Sequence, residues 1–311
     1  MDYTTLGRTG VRVSVMGLGC GGHSRLGQSY GRTEAESAGI VRAALDHGIT
    51  LFDTAEGYGT EAILSAGLRG TPRERVVVST KMSPMADGQV VPRAHVREAL
   101  EASLRRLEME YVDVYLLHGL ALRHYDEAVS ELVPELLKLR EQGKVRAIGV
   151  TEAFASDPGH AMLQRAMQDD CWEVIMVGFN LLNQSARDRV LAAAREKSIG
   201  VLNMFAVRRA LSNPSVLSEV VSDLGHRGVV DEQAAREAVD ALVRDGGAMS
   251  LQDAAYRFCR YEPGLHVILS GTGNAAHLRS NVASLTRPPL PEQEVARLRE
   301  AFASVDDVSG N

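Results

Sequence analysis

Short β-prone apolar runs alternate with amphipathic helical stretches along almost the whole chain, and no other feature constrains the fold as strongly. This alternation is typical of a parallel sheet whose strands are joined by crossover helices. We place the strands at residues 13–18, 49–53, 76–80, 112–117, 146–150, 173–178, 199–204 and 266–270. Eight strand–helix units predict an α/β fold, a (β/α)8 TIM barrel.

Two segments fall outside the eight units. Two short β-prone pieces between Tyr3 and Val13 flank Gly7-Arg8-Thr9-Gly10 and predict an N-terminal β-hairpin that closes one end of the barrel. Residues 212–250 are polar and longer than an ordinary connection, so we expect an added loop over the barrel mouth, with a helix at 231–244.

Pro134 is expected to kink or divide the fourth helix.

The composition is that of a globular protein, with 45% hydrophobic and 24% charged residues. No Pro/Ser-rich linker interrupts the chain, which favours a single domain over residues 1–311. A formal net charge of −6 gives no reason to expect nucleic-acid or anionic-membrane partners. The three cysteines form no CxxC pair, so neither disulfides nor a metal site is expected. Without a signal peptide or membrane-spanning run, the predicted location is cytoplasmic.

The segment Gly17-Leu18-Gly19-Cys20-Gly21-Gly22 matches the GxGxxG pattern of a Rossmann dinucleotide site. In that site the glycines lead directly into a helix, whereas here the polar stretch 23–32 intervenes. Asp53 also follows the glycines by about 30 residues instead of about 20. We therefore favour glycines that let the chain turn closely at a barrel mouth, with the Rossmann site as the alternative.

Polar side chains follow three consecutive predicted strands. Asp53 ends the second strand, Lys81 follows the third and His118 follows the fourth. Neighbouring parallel strands lie about 4.8 Å apart, so these side chains can meet at the face where barrel active sites form. Tyr58 can fold back from the next loop into the same space. Each residue alone could be a cap, a surface charge or a core residue, but their joint placement favours a catalytic site.

These residue types suit the transfer of hydride to a carbonyl group. The reaction requires a proton for the developing alkoxide, and a tyrosine can donate it if its pKa, normally about 10, is lowered. A buried Lys81 ammonium would lower the pKa of Tyr58, and Asp53 would keep that lysine charged. His118 could hydrogen-bond the carbonyl oxygen. A Schiff-base role for Lys81, as in barrel aldolases, requires a neutral lysine and is the weaker alternative.

Four segments resemble the aldo-keto reductase family: Leu6-Gly7-Arg8-Thr9-Gly10, Asp53-Thr54-Ala55-Glu56-Gly57-Tyr58-Gly59, Val78-Ser79-Thr80-Lys81 and Leu116-Leu117-His118. The resemblance implies a nicotinamide cofactor lying across the barrel mouth, near Gly19 and Cys20. It also implies that Tyr58 is the general acid or base, tuned by Lys81 and Asp53, with His118 at the carbonyl.

The segment Ser270-Gly271-Thr272-Gly273-Asn274 and the following helix resemble the part of the family that holds the adenosine phosphate end of the cofactor. The implied binding residues are Gly271, Thr272, Gly273, His277 and Asn281. Family members that bind NADP often have Lys and Arg where this chain has Gly271 and His277, which favours NAD slightly over NADP. Arg279, Arg208 or Arg209 could still bind a 2′-phosphate, since guanidinium groups match phosphate oxygens.

The family's Ser, Asn and Gln that bind the nicotinamide carboxamide are represented here by Thr151, Glu152 and Met176. Glu152 can accept a hydrogen bond from the amide nitrogen, but Met176 cannot replace a glutamine. The aromatic residue that stacks on the nicotinamide is represented by Met204 or Phe205.

The region from Leu117-His118 to Gly149 resembles the branch of the family that oxidises sugars such as galactose to lactones. The expected substrate is therefore an aldehyde, a ketone or a small sugar. The altered nicotinamide contacts leave a second function open, a regulatory subunit that binds the cofactor and senses its redox state with little turnover.

Overall fold

The computed structural model describes residues 1–310, and its centre is a closed barrel of eight parallel strands. The strands are Met16–Gly19, Leu51–Asp53, Val77–Met82, Val112–Leu120, Val145–Glu152, Val174–Gly178, Gly200–Met204 and Val267–Ser270. Each strand pairs with its neighbours in the chain, and the eighth closes the barrel by pairing with the first. The predicted TIM barrel is confirmed.

The N-terminal hairpin is also confirmed, although the predicted strand 13–18 was partly wrong. Tyr3–Thr5 pairs antiparallel with Arg12–Ser14, and the first barrel strand begins only at Met16. Leu6 and Val13 are fully buried and join the apolar cluster that fills the barrel interior. The hairpin therefore closes the N-terminal end of the barrel.

Alternate residues of the strands fill the barrel interior, as the period of two along a strand requires. The inward-facing apolar residues are Leu51, Val77, Val114, Leu116, Ala147, Val174, Met176, Leu202 and Val267. These packed side chains fill the barrel interior beneath the C-terminal ends of the strands.

The helices surround the barrel. Their bounds are α1 Glu34–Asp46, α2 Glu61–Leu68, α3 Arg93–Leu107, α4 Tyr125–Glu141, α5 Ala161–Ala166, α6 Ala192–Glu196, α7 Arg209–Ser212, α8 Pro214–His226, α9 Glu232–Arg244, α10 Leu251–Arg260, α11 Ala275–Leu285 and α12 Glu292–Ala301. A small hairpin of Met85–Ala86 and Gln89–Val90 was not predicted. Within residues 1–310 no helix has the length and apolar character needed to cross a bilayer.

Residues 212–250 are mostly helical: the helix expected at 231–244 is present as α9, and α8 before it was not predicted. Asn213 and Asp231 cap α8 and α9 by accepting hydrogen bonds from backbone N–H groups of the first turn. α9 packs against α10 and α12 in the outer layer. Its buried face has helical spacing and comprises Ala235, Ala238, Val239, Ala241 and Leu242.

Pro134 does not divide the fourth helix, because α4 runs without interruption from Tyr125 to Glu141. A proline lacks the N–H that would bond the carbonyl four residues earlier, here that of Ser130. The Arg93 side chain donates to the Ser130 carbonyl at 3.5 Å and to the Glu131 carbonyl at 3.0 Å. This guanidinium replaces the missing donor, so the helix continues.

Asp113 is predicted to be a main electrostatic support of the barrel wall. Its buried carboxylate lies 2.6 Å from Arg73, 3.1 Å from Arg146 and 2.9 Å from the Val78 backbone nitrogen. Asp113→Ala removes the acidic partner of both arginines and leaves the buried Val78 N–H without its acceptor. We expect urea unfolding followed by circular dichroism to show a loss of about 3–5 kcal/mol in the free energy of unfolding.

The matched control is Arg69→Ala, which removes the exposed Arg69–Glu108 pair at 3.5 Å. This variant should lose less than about 1 kcal/mol, since water already screens both charges. Equal losses in the two variants would show that burial of Asp113 has no special effect.

Candidate active site

Asp53 and Lys81 form a buried ion pair at the C-terminal ends of the second and third barrel strands. Lys81 Nζ lies 2.7 Å from Asp53 Oδ2 and also donates to the Thr54 carbonyl at 2.7 Å. Burial alone would lower the pKa of Lys81, but Asp53 and Tyr58 outweigh it and the pKa lies above its usual value. Burial raises the pKa of Asp53, and Lys81 opposes this rise. The lysine is therefore held charged.

Tyr58 lies over this pair at the end of a short 3-10 turn, Glu56–Tyr58. The Lys81 Nζ atom is 4.9 Å from the centre of the tyrosine ring. The ring packs against Gly21, where any Cβ would overlap it. This contact explains why the position before the last glycine of the GxGxxG pattern is also a glycine, since the chain must approach the ring without a side chain.

The pKa of Tyr58 differs from the sequence prediction. Burial raises it, the Lys81 charge lowers it in part, and the net result lies above the usual value for tyrosine. The prediction that Lys81 brings this pKa below its ordinary value was therefore wrong. The phenol keeps its proton at neutral pH and can donate it.

His118 lies opposite Tyr58 on the fourth barrel strand. Its Nε2 atom is 3.2 Å from the Tyr58 hydroxyl, and the two rings meet edge to face with centroids 5.4 Å apart. Burial and then the Lys81 charge lower the pKa of His118 to about 4. The imidazole is therefore neutral at neutral pH and can either donate to or accept from an oxygen atom, depending on its tautomer.

This lowered pKa predicts a specific loss of stability in acid. Between the ordinary histidine pKa of 6.5 and about 4, the unfolded chain binds a proton that folded His118 does not. Stability should fall as the pH falls through this window, with no further loss from this group below it. Urea unfolding at a series of pH values should show a smaller decrease for His118→Gln than for the wild type. Parallel pH curves for the two proteins would contradict the assignment.

Gly19 and Cys20 connect the first strand to this site. The Cys20 backbone nitrogen donates to the Asp53 carbonyl at 2.7 Å. The thiol is fully buried, and burial, reinforced by Asp53, raises its pKa well above the usual range. Gly19 instead faces Gly271, which follows the eighth strand. A Cβ added at Gly271 would lie 3.1 Å from the Gly19 carbonyl oxygen. At Gly19 and Gly271, therefore, the backbones of the first and eighth strand ends approach each other without side chains between them.

The predicted cofactor residues on the fifth and sixth strands are buried, and the two polar ones are hydrogen-bonded within the protein. Thr151 is buried, and its hydroxyl accepts a hydrogen bond from the Gly119 nitrogen at 2.7 Å. Met176 pairs with Thr151 across the fifth and sixth strands and is also buried. Glu152 bonds to His160 and to the Gly178 nitrogen, so both of its oxygens have partners.

The remaining predicted cofactor residues lie after the seventh and eighth strands. Phe205 and Arg208 are half-buried and in contact, with the guanidinium carbon 3.8 Å from the centre of the ring. After the eighth strand Thr272 and Gly273 are buried and Gly271 is exposed. His277 is exposed in the first turn of α11, while Asn281 donates to Ser270 at 2.8 Å.

Two residues beside the site were missed by the sequence analysis. Phe154 and His160 are both buried next to Glu152, and neither belongs to a motif or a strand end. Neither carried a sequence signal, whereas Gly21, which contacts Tyr58, lies within the glycine-rich segment 17–22. Residues 1–310 contain no cluster of three or more His, Cys, Asp or Glu side chains able to hold a metal ion.

Comparison with known proteins supplies independent evidence. L-galactose dehydrogenase of Arabidopsis thaliana is 28% identical over 314 residues, covering 99% of this chain and 95% of that protein. Aldo-keto reductase AKR11C1 from Bacillus halodurans superposes with a TM-score of 0.75 in its holo form and 0.73 in its apo form, at 20% identity over the whole of both chains. The model of the aldo/keto reductase family matches residues 17–303. Because this match leaves out only the ends of the chain, the protein is an oxidoreductase that belongs to the aldo/keto reductase family.

Proposed function

We propose that the protein transfers hydride between a nicotinamide dinucleotide and a small carbonyl compound or the corresponding alcohol, with Tyr58 as the general acid or base. One observation carries this proposal. The Tyr58 hydroxyl lies 3.2 Å from neutral His118, above a buried and charged Lys81, where the barrel strands end. This arrangement places a proton donor and an orienting group at one point, as carbonyl reduction requires.

The barrel mouth fits a dinucleotide on the evidence of its own residues. Gly19 and Gly271 leave a bare backbone edge along which a ligand can lie closely. Because the chain has a net charge of −6, binding an anionic cofactor requires local positive charge. Arg208, Arg209 and Arg279 supply it in the segments after the seventh and eighth strands. When bound, the nicotinamide ring donates or accepts the hydride.

Residues of the protein itself donate and accept the proton. In reduction, Tyr58 donates its phenolic proton to the oxygen that becomes the alcohol. The Lys81 ammonium stabilises the resulting phenolate, and Asp53 keeps that ammonium charged. His118 is neutral, so it can hydrogen-bond the substrate oxygen and orient the carbonyl. In oxidation the same groups act in reverse: Tyr58 must first lose its proton to solvent, and the resulting phenolate, stabilised by the Lys81 ammonium, accepts the hydroxyl proton.

A small sugar is the substrate class that we propose first. The support is the relative named L-galactose dehydrogenase, which aligns with almost the whole chain. In that case Tyr58 would remove the proton of the anomeric hydroxyl group, and the product would be a lactone.

The choice between NAD and NADP is left open in this proposal. The preference for NAD predicted from Gly271 and His277 gains no support from the comparisons. Arg208, Arg209 and Arg279 offer guanidinium groups that suit a 2′-phosphate. A titration of the protein with NADH and with NADPH, followed by nicotinamide fluorescence, compares the two directly.

The test of the proposal is a turnover assay on the purified protein. NADH or NADPH is combined with a panel of aldehydes and ketones, and NAD or NADP with a panel of aldoses. We expect a change in the nicotinamide absorbance with at least one pair. Tight cofactor binding without turnover would favour the regulatory-subunit alternative, and the absence of both binding and turnover would overturn the proposal.

A further inference from the structure

A buried glutamate–histidine pair lies directly beside the proposed cofactor site. The Glu152 side chain is fully buried at the end of the fifth strand, and its Oε2 lies 2.9 Å from His160 Nδ1. Its Oε1 accepts a hydrogen bond from the Gly178 backbone nitrogen at 2.7 Å. The carboxylate thus ties the fifth strand, the sixth strand and the start of α5 together.

A series of stacked groups runs from this pair to the surface. The His160 ring is stacked on Phe154 with centroids 5.4 Å apart, and Phe154 is stacked on Phe205 at 6.0 Å. The Arg208 guanidinium then covers Phe205 at 3.8 Å. Phe154 is 1% exposed and lies on Gly178, where any Cβ would overlap its ring. We call these residues, Glu152, His160, Phe154, Phe205 and Arg208, the array. Movement of one member of the array would therefore disturb its neighbours.

Two residues in the array have a backbone conformation that non-glycine residues rarely adopt. His160 has φ of +63° and Phe205 has φ of +67°. Bulky residues remain in the left-handed region only where their surroundings hold them there. The contact of His160 with Glu152 and the contact of Phe205 with Phe154 can hold the two residues in this conformation.

The outer end of the array belongs to the barrel mouth. Phe205 follows the seventh strand directly, and Arg208 is the N-cap residue immediately before α7. The C-terminal segment supports the same loop, since the Ala210 nitrogen donates to the Gly310 carbonyl at 2.9 Å. The loop at 205–210 is thus supported from the buried side by the array and from the other side by the chain end.

We propose that Glu152, His160 and Phe154 are positioning residues, which hold Phe205 and Arg208 in place and thereby set the affinity for the nicotinamide dinucleotide. The identity of this ligand rests on the proposed function. The inference that these residues position the 205–210 loop does not depend on the proposed function. None of the three residues needs to touch the cofactor or the substrate.

The experiment compares Glu152→Ala, Glu152→Gln and Phe154→Leu with the wild type. Glutamine keeps an acceptor for the Gly178 nitrogen and a polar partner for His160, whereas alanine keeps neither. The matched control is Glu173→Ala, since Glu173 also accepts from a backbone nitrogen, that of Ile148, and pairs with Arg140, away from the mouth. Hydrogen exchange of residues 205–210 is measured without cofactor, and the Kd values for NADH and NADPH are measured by fluorescence titration.

Glu152→Ala and Phe154→Leu should exchange faster at 205–210 and bind the preferred dinucleotide about tenfold more weakly. Glu152→Gln and Glu173→Ala should match the wild type in both readouts. Unchanged exchange and unchanged Kd in both Glu152→Ala and Phe154→Leu would overturn the proposal. If Glu152→Ala does not fold, Phe154→Leu decides. If the wild type binds neither dinucleotide, the proposed function fails, whereas the exchange data still decide whether the array positions the loop.

Discussion

Tyr58→Phe should reduce turnover by about 10²–10⁴-fold and leave the Kd for the cofactor unchanged. The substitution removes only the hydroxyl group that faces His118 at 3.2 Å. The phenyl ring still packs against Gly21 and covers Lys81, so the shape of the site is kept. Steady-state kinetics with the best substrate, together with a fluorescence titration of the cofactor, separate the loss of chemistry from a loss of binding.

The chain contains a matched control for this variant. Tyr115 lies three residues before His118, is fully buried, and has a hydroxyl with no hydrogen-bond partner among residues 1–310. Tyr115→Phe likewise removes only a tyrosine hydroxyl, here from the fourth barrel strand, and should turn over like the wild type. If both variants were equally active, the assignment of Tyr58 as the proton donor would be wrong.

Lys81→Met should lower both stability and turnover. Methionine fills a similar volume but leaves the Asp53 carboxylate buried without its cation. We expect the free energy of unfolding to fall by about 3–5 kcal/mol, as when one partner of a buried pair is removed. Turnover should fall to a level comparable with that of Tyr58→Phe, because the phenolate loses the charge that stabilises it.

A double variant separates these two effects. Replacing both partners of a buried ion pair by apolar residues of similar size is often nearly neutral for stability. Lys81→Met/Asp53→Leu should therefore regain most of the free energy of unfolding, while turnover stays as low as in Lys81→Met. If turnover recovered together with stability, Lys81 would be a structural residue with no part in the proton transfer.

The barrel and the meeting of four side chains at its mouth could be predicted because both follow from periodicity. Alternate residues of a strand face the interior, so polar residues at the ends of consecutive strands must point into one space. Lys81 and His118 were placed correctly by this rule alone. Tyr58 is on a loop, and its approach depends on Gly21, which is distant in the sequence. The structure is needed to show that contact.

Properties that depend on burial could not be predicted. The charge of Lys81 suggested a lowered pKa for Tyr58, but the sequence does not show how much water the folded site excludes, and burial reverses the direction. The family resemblance implied that Glu152 binds the nicotinamide carboxamide. It gave no indication that this carboxylate would be hydrogen-bonded to His160, a residue that has a left-handed backbone and no sequence signal. Helix α8 was read as loop because its polar surface obscures a narrow apolar face, whereas α9 was predicted as the helix at 231–244.

The most direct test of the central claim is a crystal structure with a nicotinamide dinucleotide bound. We expect the reactive C4 atom of the nicotinamide ring to lie beside Tyr58 and His118. Between them there should be room for one carbonyl group, with its oxygen about 3 Å from both the Tyr58 hydroxyl and His118 Nε2. A cofactor bound away from this pair, or a bound nicotinamide ring from which the hydroxyl and the imidazole both point away, would contradict it.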